Sequence, residues 1–270
     1  MSLWLMALIV LAAAAVAVGL MYEVRRHSSV DHFFVEIERG AGIFAFLGTA
    51  FAVLLAFVVL EAFGSFNDAK AGADEEATTL VQLSRTAEFF PPAQRDPIEG
   101  VLICYGRAVI HEEWPAMRHG DRSPVVQGWV TRLEEGLQNL DPITPAQEAA
   151  FLQLLEQQDK RTDARRVRLS EANRALPAPA WFVLGVGAAV TVGFALFFAD
   201  RREHFIVQGS LIAAIAALVV SGLLLVWFLD HPYENRAGSI EPAEMERQLV
   251  IVEAEQVSAP QLCDTQGRPL

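Results

Sequence analysis

Apolar residues fall into four long blocks, and the chain between and after them returns to mixed polar and apolar positions at helical period. The first block runs from about Leu3 to Tyr22 and the second from Ala41 to Ala62, with Glu61 at its end. The third, Pro179 to Ala199, and the fourth, Phe205 to Leu229, flank a short charged link. A bilayer core about 30 Å thick takes roughly 20 apolar residues in a helix, so each block predicts a transmembrane span. The alternative for the first block, a cleaved signal peptide, fits poorly: it has no basic n-region and leads straight into a second span. Trp4, Tyr22, Trp181 and Trp227 sit near block ends, where amphipathic rings favour the interface, although ordinary packing also accommodates each of them. The fold class expected is an all-α membrane protein with four transmembrane helices in two hairpins. The segments are 1–63, a soluble helical domain at 64–178, a second hairpin at 179–229 and a polar tail at 230–270.

The soluble stretch reads as helix throughout. Residues from about Ala73 to Phe89 form one candidate, closed by Pro91-Pro92. Asp96-Pro97-Ile98-Glu99 predicts a helix start, with Asp at N-cap, Pro at N1 and Glu at N3. That helix carries Ile98, Val101, Leu102, Tyr105 and Val109 on one face and is ended or kinked by Pro115. Ser123-Pro124 opens another, striped by Val126, Trp129, Val130, Leu133 and Leu137. Thr144-Pro145-Ala146-Gln147 is a capping box, and a helix from there to Leu176 is about 45 Å long at 1.5 Å per residue. After the fourth block, Glu241-Pro242 starts a short helix to about Glu255, and the last dozen residues are expected to be loose.

Composition narrows the function classes. A net charge of −12 over 270 residues argues against a nucleic-acid partner. Cys104 and Cys263 are too few for a disulfide framework; they pair if both lie in an oxidising compartment and otherwise act as small buried hydrophobes. No metal-ligand spacing, nucleophile elbow, phosphate loop or paired catalytic carboxylates occurs in the sequence, so neither cofactor nor enzyme activity is indicated.

Three groups of residues carry candidate chemistry. Phe44, Phe51 and Val58 repeat every seven residues in the second block and share a face; around an oligomer axis they form a hydrophobic constriction, and in a bundle they face lipid. Glu113 and Trp114 on one helix, with Arg165, Arg166 and Arg168 on another, form a polar network, either ion-handling or purely structural. Glu61, Glu75 and Glu76 are candidate mouth carboxylates, with solvated surface acid as the alternative. Ridges of small residues, Gly185, Ala189, Gly193 and Gly48, Ala52, Ala56, predict close helix packing.

Orientation rests on Lys and Arg near the spans. The links hold Arg25, Arg26, Arg39, Arg201 and Arg202; the other side holds Lys70, Lys160, Arg161, Arg165, Arg166, Arg168, Arg174, Arg236 and Arg247. The soluble domain and both termini are expected on the cytoplasmic side of a bacterial inner membrane.

The arrangement resembles the bacterial bestrophin-like membrane family. The resemblance rests on Ala52-Val53-Leu54-Leu55-Ala56-Phe57-Val58-Val59, then Glu76-Ala77 with Leu80 and Leu83. It continues through Tyr105, Glu113-Trp114-Pro115, Ala164-Arg165-Arg166-Val167-Arg168-Leu169, Leu176-Pro177 and Leu229-Asp230-His231-Pro232. It covers about Gly42 to Pro232. It implies a two-plus-two helix layout, a cytosolic helical domain and a ring-shaped homo-oligomer conducting small inorganic anions. The acidic calcium-binding cluster of true bestrophins has no counterpart in the tail, so calcium gating is not carried over. A non-conducting, membrane-anchored helical scaffold is the competing expectation.

Overall fold

The computed structural model describes residues 3–27, 37–172, 176–200, 203–255 and 259–270. Arg174, Arg201 and Arg202, which enter the orientation argument, lie outside them. Every named element among the described residues is helical: α1 Leu3–His27, α2 Ile37–Ala87, α3 Pro92–Ala108, α4 Trp114–Met117, α5 Pro124–Gln138, α6 Pro145–Ser170, α7 Ala178–Leu196, α8 Phe205–Leu229 and α9 Ala243–Glu255. Four of them are long and apolar enough to cross a membrane. The chain divides into two compact units, 1–65 with 174–230, and 66–173 with 231–270.

The second apolar block and the helix expected at Ala73–Phe89 are one continuous helix of 51 residues, α2. The stretch between them contains no proline, and its two glycines, Gly64 and Gly72, each weaken a helix by only about 1 kcal/mol relative to alanine. The α3 helix starts at Pro92, a turn before the expected Asp96 cap, and Pro97 lies inside it. Pro115 does not end the chain's helical course, which runs on to Met117. A π-helical turn at Val109–Glu113 precedes the proline, and the Trp114 N–H reaches the Val109 carbonyl five residues back. Proline removes a donor and crowds the carbonyl four residues earlier, and the wider turn accommodates both effects.

In the apolar unit, α1 packs on α7 and α8, and α7 packs on α8. The first half of α2 is held by Phe51 and Leu55. A Cβ at Gly187 would sit 2.5 Å from Phe51 Cδ2, and one at Gly222 would sit 2.7 Å from Leu55 Cδ2. The close approaches therefore use Gly187 and Gly222. At the ridge residues Gly48, Gly185 and Gly193, an added Cβ would have nothing within 4 Å. At the end of α8, buried Asp230 accepts hydrogen bonds from the Leu176 N–H (2.9 Å) and from Trp181 Nε1 (3.2 Å), joining two of the motifs that carry the family resemblance.

The polar unit is built on a contiguous core from the second half of α2, α3, α5, α6 and α9. Ser123 caps α5, and the five expected stripe residues of that helix are all buried. Thr144 and Gln147 close a full capping box on α6, which ends at Ser170, short of the expected Leu176. The tail is not loose. Cys104 and Cys263 form a disulfide, and Trp129 Nε1 donates to the Gly267 carbonyl at 2.7 Å. Gly267 has φ +79°, and a Cβ there would collide with the Ala108 backbone nitrogen, so only glycine lets the tail lie this close to α3.

Candidate functional site

The site builds from a helix crossing. Gly72 on α2 meets the α6 backbone closely, with the Ala164 carbonyl 3.0 Å and the Arg168 nitrogen 3.1 Å from where its Cβ would be. One turn further along α2, Glu76 reaches Arg168: Nε donates to Oε2 at 2.5 Å and Nη2 to Oε1 at 3.0 Å. The π-helical turn brings in Glu113, whose Oε2 accepts from Arg168 Nη2 at 2.6 Å. Glu113 also accepts from Arg165 Nη2 at 2.6 Å and Nε at 3.2 Å. Arg165 and Arg168 stand three residues apart on one face of α6, which lets two guanidinium groups grip the same carboxylate. Tyr105 OH donates to Glu76 Oε1 and accepts from Arg161 Nη1 at 2.9 Å.

Aromatic faces complete the enclosure. The Arg168 guanidinium lies 5.1 Å from the Trp114 ring centroid, and Arg161 lies 4.8 Å from the Tyr105 ring. Trp114 Nε1 donates to the Ile240 carbonyl, and its ring meets Tyr233 edge-on at 5.7 Å. Tyr233 OH donates to the Ala69 carbonyl at 3.0 Å.

Electrostatics follow from burial. Desolvation alone would raise the Glu113 pKa, but Arg168 and Arg165 outweigh it and hold the carboxylate below its ordinary range. Burial pushes against the charge of Arg168, and Glu76 and Glu113 more than restore it, so its pKa stands well above normal. Three arginines, Arg161, Arg165 and Arg168, face two carboxylates, Glu76 and Glu113, giving an excess of one positive charge (3 − 2). Arg161 donates to neutral oxygens of Gln158, Tyr105 and Thr162.

Several expected positions differ in the structure. Glu76 is not a mouth carboxylate: it is fully buried at the centre of the network, because the α2 face it occupies is the one turned to α6. Arg166 does not join, since its place on α6 turns it to solvent, where it pairs with Asp163 one turn away. Glu61 and Glu75 are exposed. Phe44, Phe51 and Val58 face their own protomer: Phe44 stacks on Phe194 at 6.0 Å, and Phe51 and Val58 pack in the cluster formed with α7 and α8. Tyr105 and Arg161 belong to the network but were not expected there; Tyr105 reads as one position in an apolar stripe, and nothing local marks Arg161 apart from its neighbours. Among the described residues, no cluster of metal-ligating side chains occurs.

Four apolar helices and a polar helical unit locked by a buried ionic network define an all-α integral membrane protein. Residues 7–244 match the Bestrophin-like domain model, and the chain belongs to the Bestrophin-like family. No curated protein matches it. Among solved structures, a bacterial bestrophin homologue from Klebsiella pneumoniae superposes with a TM-score of 0.68 at 14% identity, covering 96% of this chain and 100% of that one. A leucine-to-threonine variant of the same homologue gives a TM-score of 0.67 at 13% identity, with coverage of 94% and 98%. At such identity the likeness speaks to the fold.

Proposed function

We propose that the chain is one subunit of an oligomeric ion channel of bestrophin-like architecture, with α2 lining the axis. The observation that carries this is the outward face of α2. Phe46, Val53, Phe57 and Leu60 are all exposed on the protomer, while the opposite face of the same helix is packed on α7 and α8. An axis lined by α2 therefore uses this outward stripe and not Phe44, Phe51 and Val58. Rings of such side chains make a constriction that gates by dewetting. A shallow groove of about 330 Å³ between the outward faces of α2 and α7, lined by Leu47, Leu54, Val183 and Val186, gives a neighbouring subunit's helix a place to sit.

The buried network supports a structural task in this reading. It fixes the polar unit as a rigid body and leaves Glu61 and Glu75 as the candidate mouth carboxylates. Anions are the expected permeant class by analogy with the family, and no catalytic step is assigned. The test is mass determination in detergent together with flux from proteoliposomes. An oligomer that conducts, with Phe57→Ala widening or altering conductance, is expected. A monomer, or a sealed oligomer without flux, overturns the channel reading, and the sealed oligomer is the outcome of a membrane scaffold.

A further inference from the structure

We infer that the polar unit lies in an oxidising compartment across the membrane from the cytosol, with Cys104–Cys263 as its oxidative staple. Neither cysteine is free, both are buried, and their Cα atoms stand 5.8 Å apart, inside the range a disulfide needs. Disulfides persist in oxidising compartments and are rare where cellular thiols are kept reduced. The bond also constrains topology. Two spans, α7 and α8, separate the two cysteines along the chain, so an even number of crossings returns Cys263 to the side of Cys104.

The distribution of arginine points the same way independently. The flanks joining α1 to α2 and α7 to α8 hold Arg25, Arg26, Arg39, Arg201 and Arg202. These short connections are where cationic side chains set orientation, with the excess on the cytoplasmic side. Arg25 is also fixed at that membrane edge: it donates to Gln208 Oε1 (3.1 Å) and to the Glu203 carbonyl (2.9 Å). Several arginines counted on the opposite side belong to folded structure. Arg161, Arg165 and Arg168 are buried, and long domains translocate largely regardless of charge. Setting those three aside leaves six of the basic residues counted on that side against five on the links, and the five carry the greater weight because orientation is read from short connections. The inferred orientation is opposite to the cytoplasmic one expected from sequence and family resemblance.

Formation of the staple is an exchange reaction. The two thiols give up two electrons and two protons, and a disulfide of a thiol-oxidising protein in that compartment accepts them and leaves as a dithiol.

Two measurements on the full-length protein in its membrane test this. Cells are acid-quenched, denatured and alkylated with a polyethylene-glycol maleimide. No adduct is expected without prior reduction and two adducts after it; two adducts without reduction overturn the staple. Separately, Glu134→Cys on the exposed side of α5 and Glu203→Cys beside α8 are probed with a membrane-impermeant maleimide in right-side-out vesicles. Labelling of E134C in closed vesicles, with E203C labelled only after detergent, is expected. The reverse pattern overturns the orientation. Neither readout depends on ion flux, so failure here is distinguishable from failure of the channel reading.

Discussion

The two units solve opposite problems with the same element, the α-helix. In the apolar unit much of each helix surface is exposed in the protomer, large side chains such as Phe46, Phe57, Phe182 and Leu218 included. In hydrocarbon such surface is tolerated, because lipid tails are as apolar as leucine, and the helix contacts that matter are steric fits at Gly187 and Gly222. The polar unit has water as its solvent, buries a contiguous core, and holds inside it a network of three arginines and two glutamates. Close packing specifies the first unit, and a network of paired charges plus a covalent staple specifies the second. Substitutions of similar size should therefore act very differently in the two.

The largest effect is expected at Arg168. Arg168→Met leaves Glu76 without its bidentate partner and Glu113 with one guanidinium fewer, both in a dry interior. Breaking a buried pair from one side costs about 3–5 kcal/mol, a large share of a domain's stability. Loss of the cooperative thermal transition of Trp114 and Trp129 fluorescence is the expected result. Arg168→Lys should rescue little, since a point charge cannot reproduce the two-pronged grip. The same network gives an acid limit. The Glu113 pKa is depressed in the folded state, so its stabilisation is present above the ordinary glutamate pKa of about 4.3 and is lost as pH falls through the folded value. Glu113→Gln should flatten that acid limb.

The staple comes next. Cys104→Ser with Cys263→Ser removes a cross-link spanning 159 residues, worth about 2–4 kcal/mol. The apparent Tm should fall and become insensitive to reductant. The tail should not be released entirely, because Trp129 still donates to Gly267 and Arg107 to the Asp264 carbonyl at 3.3 Å. Limited proteolysis of the last dozen residues measures how much of their order is covalent.

These two groups of residues also mark where sequence reasoning stops. The spans were legible because an apolar run of about 20 residues matches the thickness of a bilayer core. Ser123, and Thr144 with Gln147, were legible because capping is local chemistry. The pairing of Glu76 with Arg168 joins residues 92 positions apart, and no local signal distinguishes Glu76 from exposed Glu75 beside it; only the helix crossing at Gly72 does. The inward face of α2 was illegible for a different reason. Periodicity groups Phe44, Phe51 and Val58 on one side, but in a membrane both sides are apolar, so the pattern lacks the polar contrast that tells inside from outside in water. For the same reason the small-residue ridge at Gly185 read as a contact, while the contact within the protomer is made at Gly187.

That last pair sharpens the comparison at smaller scale. Gly187→Ala drives a methyl into the Phe51 ring, which is itself buried, and overpacking of this kind costs about 1–3 kcal/mol. Gly185→Ala meets nothing within 4 Å and should leave the protomer's stability unchanged. Thermal stability in detergent separates the two. A change of oligomeric mass with Gly185→Ala alone would place that ridge at a subunit interface, where the proposed ring needs one.

The smallest effect is expected at Glu99, where the polar unit breaks its own rule. Unlike Glu76 and Glu113, this buried carboxylate accepts no hydrogen bond from any described residue, although Arg95 Nε lies 3.3 Å from Oε1. Burial pushes its pKa up to about 7, against the pull of Arg95. Between the ordinary glutamate value near 4.3 and pH 7, the folded state retains a proton that the unfolded chain has released. Stability therefore declines as pH rises through that window, and the whole penalty stands above pH 7. Glu99→Gln removes the titrating group while keeping the side chain's size. The variant should match the parent near pH 4 and exceed it by about 1 kcal/mol at pH 8, allowing for screening by solvent around Arg95. A constant difference across that range would mean the carboxyl is already ionised and paired in the folded protein, and the unit would then hold every one of its buried acids in the same way.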